Sequence, residues 1–128
     1  MKNNEQNLIN NDKGKCSCEG YNLDKLIQPK ILVLLNKHHE GLHGYRIIEI
    51  LNHQPLWNEP VDSTGIYRAL KIMEEKKLLL SDWDTSGTGP AKKVYKITEP
   101  GRICLNNWVK TLKKYQESIL LILSDFEK

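Results

Sequence analysis

A chain of 128 residues, with 19 lysines and arginines against 16 carboxylates and a net charge of +3, suits one small domain whose modest core is often completed by pairing with a second copy. Its first twenty residues are too polar for a signal peptide, and no apolar run approaches the roughly 18 residues of a membrane span, so a cytoplasmic protein with no membrane partner is expected. Three cysteines, an odd number in a reducing compartment, argue against a disulfide framework.

Residues 1–20 are rich in Asn, balanced in charge and poor in apolar side chains, which predicts a mobile N-terminal arm. Its distinctive feature is Cys16-Ser17-Cys18. From residue 22 to about 38, Leu23, Leu26, Ile27, Ile31, Leu34 and Leu35 trace one helical face, and Pro29 implies that the regular helix starts or bends there. Residues 40–51 place Gly41 and Gly44 around His43 and then resume helical spacing at Tyr45, Ile48 and Leu51, the pattern of a break between two helices. A connection over residues 52–61 follows, with Trp57 between Pro55 and Pro60 expected to anchor it to the core.

The next stretch, residues 61–80, organises the rest. Asp62 or Ser63 can cap a helix whose Ile66, Ala69, Leu70 and Met73 form a core face. Its other face carries Ser63, Thr64, Tyr67, Arg68 and Lys71, hydroxyls, an aromatic and cations suited to phosphates and base edges. Two strands are expected at residues 78–83 and 92–97, with a Gly- and Pro-bearing loop at 85–90 between them. Helix, strand, loop, strand is a winged helix: a mainly α fold with a small β-hairpin. Lys92 and Lys93 lie at the wing. From residue 90 to 114 seven cations face one carboxylate, a net of +6 that leaves −3 for the remainder, and a basic strip beside a reading helix suggests nucleic acid.

Thr98-Glu99-Pro100-Gly101 opens a long last helix reaching to about Phe126. Leu105, Trp108, Leu112, Tyr115, Ile119, Ile122 and Phe126 recur along it at alternating spacings of three and four, a heptad seam that predicts a homodimer interface. The expected division is an arm over 1–20, a winged helix-turn-helix DNA-binding domain over 21–98 and a dimerisation helix over 99–128.

Four motifs, in order and at characteristic spacing, resemble those of the PadR family of winged-helix repressors. They are His43-Gly44-Tyr45, Thr64-Gly65-Ile66-Tyr67-Arg68-Ala69-Leu70, Gly89-Pro90-Ala91-Lys92-Lys93 and Tyr95-Lys96-Ile97-Thr98-Glu99-Pro100-Gly101. The likeness runs from about Leu23 to Tyr115, and the single last helix is similar to the compact branch of that family. It implies a homodimeric DNA-binding regulator responding to small molecules or stress. Two positions depart from the family pattern. Lys77 stands where a glycine commonly ends the reading helix, and Val94 replaces a frequent wing aromatic.

Enzyme constellations are weak or missing. His39-Glu40-Gly41-Leu42-His43 matches HExxH, but the zinc chemistry needs both histidines on one continuous helix, and the two glycines interrupt it. The simpler reading has His43 packing against the third helix. No phosphate loop, nucleotide fingerprint or nucleophile elbow is present, so no enzyme is expected. Cys16, Cys18 and Cys104 raise the prospect of a metal or thiol-based ligand, or a redox switch, whereas Cys104 alone is most often a small buried hydrophobe. The expected partners are double-stranded DNA bearing an inverted repeat, a second copy of the chain and a small-molecule effector. A winged helix serving as a protein-interaction or metal- or thiol-responsive adaptor without DNA binding is the alternative.

Overall fold

The structure, a computed structural model, describes residues 26–53 and 62–128. Cys16, Cys18, Trp57 and the expected arm lie outside the described residues. The described chain runs α1 (Ile27–Lys37), β1 (Leu42–His43), α2 (Gly44–Asn52), α3 (Ser63–Glu75), β2 (Leu79–Asp84), β3 (Lys92–Ile97) and α4 (Glu99–Glu127).

Pro29 falls within the first turn of α1, where an absent N–H costs nothing because those groups have no partner inside the helix. Ile31, Leu32 and Leu35 of α1 meet Ile47 and Leu51 of α2 and Ile66, Leu70 and Met73 of α3 in one core. Leu79 of β2 and Tyr95 and Ile97 of β3 close it from the sheet side.

The sheet has one strand more than expected. Gly41 leaves the preceding turn at φ +89°, a backbone conformation that favours glycine, and the next two residues pair with β3. Leu42 lies opposite Tyr95 and His43 opposite Val94, so the sheet is antiparallel in the order β1-β3-β2. A two-residue strand is too short to show the alternation by which strands are read from sequence, and its partner lies about fifty residues downstream. The hairpin itself is paired from Leu79 opposite Ile97 to Asp84 opposite Lys92.

Helix α3 ends in a Schellman motif, with Leu78 N donating to the Met73 carbonyl at 2.9 Å and Lys77 N donating to the Glu74 carbonyl at 3.0 Å. Lys77 occupies the left-handed position at φ 65°. The cap therefore persists although a lysine replaces the usual glycine.

Helix α4 starts at Thr98, whose hydroxyl accepts from Gly101 N at 3.0 Å, and Leu105 is buried in the core beside partly buried Cys104 and Trp108. The heptad seam thus divides. Leu105 is taken up in the core of its own chain and is not part of an exposed seam. From residue 113 onward every side chain of the helix is exposed.

Candidate nucleic-acid interface

Asp62 caps α3, its carboxylate accepting from Thr64 N at 3.2 Å, and Ile66, Ala69, Leu70 and Met73 point inward. Helical spacing then leaves Ser63, Thr64, Tyr67, Arg68 and Lys71 on the outward stripe, and all five are exposed. Tyr67 is at once packed and accessible. Its ring rests against Gly44 of α2, where an added Cβ would stand 2.8 Å from the ring, yet it stays 46% exposed at the surface.

The two wing lysines part company. Strand alternation puts them on opposite faces of β3, and Lys93 falls on the side of α3. There its ammonium lies 3.4 Å from Glu74 Oε1, while Ser81 Oγ donates to Glu74 Oε2 at 2.7 Å. Burial, with the Glu74 charge behind it, pushes the nearby Tyr95 phenol above its ordinary pKa, so the hydroxyl keeps its proton. Lys93 is thus engaged as a strut to α3. Lys92 is exposed, with its ammonium 5.1 Å from the centre of the Tyr45 ring.

His43 does not pack against α3 as expected from the simpler reading of the HExxH match. Its Nε2 lies 3.0 Å from Asp84 Oδ2 at the end of β2, and its ring stacks on Tyr45 with centroids 5.3 Å apart. His39 sits in the turn before β1, so the two histidines share no helix face. Among the described residues no group of three His, Cys, Asp or Glu side chains could hold a metal ion. Asp84 Oδ1 accepts from Ser86 N at 3.0 Å and from Ser86 Oγ at 2.6 Å. These bonds first, and His43 after them, hold the Asp84 carboxyl down at about 2, so it is a full carboxylate near neutral pH.

Glu74 and Asp84 carry no signal in the sequence, and Tyr45 shows there only as a position on the helical face of Ile48 and Leu51. The one available signal was the His43-Gly44-Tyr45 run itself, whose partners become apparent only once β1 is placed against the hairpin. Cys104 is free and half-buried against the core. Among the described residues no helix is long and apolar enough to cross a membrane.

Known proteins share this fold. No curated protein matches the sequence. A protein from Thermoplasma acidophilum assigned as a transcriptional regulator has a similar structure, with a TM-score of 0.68 at 27% identity over 80% of this chain and 94% of that one. A PadR-like transcriptional regulator from Bacillus cereus superposes with a TM-score of 0.66 at 25% identity, covering 79% of this chain and 94% of its own. The fold also matches that of Bacillus subtilis PadR in complex with operator DNA, with a TM-score of 0.58 at 24% identity over 73% of this chain and 59% of that one. The description of the transcriptional regulator PadR-like family, a family of regulators and not of enzymes, fits residues 31–107. With more than half of its length matched, and with the winged helix those residues form, the chain belongs to the PadR-like family of transcriptional regulators.

Proposed function

We propose that the protein is a homodimeric, sequence-specific DNA-binding repressor of the cytoplasm, released from its operator by a small-molecule, metal or redox signal. The observation that carries this reading is the exposed stripe of Thr64, Tyr67, Arg68 and Lys71 on α3, flanked by exposed Lys92 on the wing. Helix α3 enters the major groove, with Ser63 and Thr64 near phosphates at its N-terminus and Arg68 and Lys71 reaching base edges. Lys92 neutralises backbone phosphate beside the groove. Lys93 joins it only by leaving Glu74. Bacillus subtilis PadR, of the same fold, is bound to operator DNA.

Dimerisation rests on the far half of α4. A helix of 29 residues spans roughly 43 Å, and Tyr115, Ile119, Leu120, Ile122, Leu123 and Phe126 are all exposed on it. An apolar surface of this extent on a small domain marks an interaction site. Residues 21–98 then act as the DNA-binding unit, and 99–128 as the dimerisation helix whose first turns also complete the domain core. Two copies present two α3 helices to half-sites about one turn, roughly 34 Å, apart.

Footprinting on the promoter of the protein's own gene tests this. Protection of an inverted repeat is expected, and no protection favours the adaptor reading. In salt titrations Lys92→Ala should flatten the dependence by roughly 0.9 for the one phosphate it leaves unneutralised, and Lys93→Ala by less. An unchanged slope for Lys92→Ala removes the wing from the interface.

A further inference from the structure

We propose that His43 is a positioning residue for the wing: its hydrogen bond to Asp84 sets the direction in which residues 85–91 leave the sheet relative to α3. The inference rests on the DNA-binding reading for one of its two readouts.

His43 occupies the cap position of α2 with extended backbone, at φ −65° and ψ 149°, yet its side chain makes no capping bond. The ring reaches instead across the outer face of the sheet. Strands β1 and β2 are both edges of the sheet, separated by β3, and share no backbone ladder. The 3.0 Å contact between Nε2 and Asp84 Oδ2 is a direct tie between these two edges, joining residues 41 apart in the chain.

Asp84 is the last residue of β2, and its two oxygens do different things. Oδ1 takes both Ser86 donors and so shapes the first residues of the wing loop, while Oδ2 meets His43. Lys92, where the chain returns into β3, lies opposite Asp84 in register and places its ammonium over Tyr45, the ring that stacks on His43. Both ends of the loop are therefore held at the same point, the junction of β1 and α2. The residue after His43 is Gly44, which bears directly on Tyr67 of the reading helix. Ser86, Asp84, His43, Gly44 and Tyr67 form an unbroken chain of contacts from the wing to α3. A free hairpin tip sampling many directions would give up its hold on phosphate to conformational entropy, and this tie limits that cost.

The test uses the full-length protein with His43→Ala, His43→Gln and Asp84→Asn. Hydrogen exchange over residues 84–92 is measured without DNA, and the salt dependence of binding to a duplex from the protein's own promoter is measured beside it. His43→Ala should exchange several-fold faster in this segment and flatten the salt slope by roughly 0.9 for each phosphate the wing no longer neutralises. His43→Gln, whose amide nitrogen can stand in for Nε2, should restore both towards the wild type. Because His43 and Asp84 are each about one-third exposed, with side-chain exposures of 29% and 33%, melting temperature should move little. Should His43→Ala fail to fold, Asp84→Asn at the strand end gives the same two readouts. Wild-type exchange and slope in His43→Ala overturn the proposal, as does a His43→Gln protein as impaired as His43→Ala. A wild-type protein that retains no promoter duplex counts against the DNA-binding reading, and the exchange measurement then decides the role of His43 by itself.

Discussion

Lys77 carries backbone strain at a position that glycine would occupy freely. The left-handed conformation brings the Cβ of an L-residue against its own carbonyl, at a cost of roughly 1–2 kcal/mol, and Lys77 adopts it at φ 65°. Two hydrogen bonds of the Schellman motif, from Lys77 N and Leu78 N, hold it there. Lys77→Gly relieves the clash but gives the unfolded chain more freedom, which returns about 0.4–1 kcal/mol. The net expectation is a gain of about 0.5–1 kcal/mol, read as a rise of a few degrees in melting temperature. A fall would show that the lysine side chain stabilises the turn in its own right.

At the level of elements, the turn ending α3 and the start of α4 are built as one joint. Thr98 N donates to the Leu78 carbonyl at 3.1 Å, and the Thr98 hydroxyl shares its proton between the carbonyls of Lys77, at 2.6 Å, and Leu78, at 2.9 Å. The same hydroxyl accepts from Gly101 N, capping α4. Gly101 is buried so closely against this turn that an added Cβ would run into the Leu78 carbonyl oxygen and the Ile97 side chain. Backbone cannot give way as a flexible side chain does. Gly101→Ala is therefore expected to cost about 1–3 kcal/mol, the usual range for overpacking, in the midpoint of urea unfolding. Gly65→Ala on α3, where an added Cβ meets open space, is the control and should not destabilise. Equal losses in the two variants would mean that the joint is not what makes Gly101 necessary.

Over the whole molecule, the distinctive feature is the apolar far half of α4. Ile119 and Ile122 are 55% and 67% exposed, and full burial of such side chains is worth about 1.5–3 kcal/mol each. Replacing both with glutamate should leave the winged helix intact, since both side chains are exposed and lie outside its core among the described residues. It should yield monomers in sedimentation equilibrium and weaken operator binding by at least tenfold, because two half-sites would no longer be engaged as one unit. A double variant that sediments as a dimer would place the interface elsewhere.

Local patterns in the sequence were enough to read α3 with its inward and outward faces, the hairpin, the Thr98 cap and the length of α4. Each depends on residues within a turn or two of one another, where spacing and capping chemistry act directly. Strand β1 was not legible, because two residues carry no period and what makes them a strand is β3, folded alongside from far down the chain. For the same reason, the adjacent pair Lys92 and Lys93 did not disclose which would face solvent and which Glu74, nor did the heptad of α4 disclose that Leu105 belongs to its own core. His43 offered a metalloprotease pattern and proved to be bound to Asp84. Short-range periodicity determines what each segment becomes; only the packing of segments distant in sequence decides which of its side chains remain free to act.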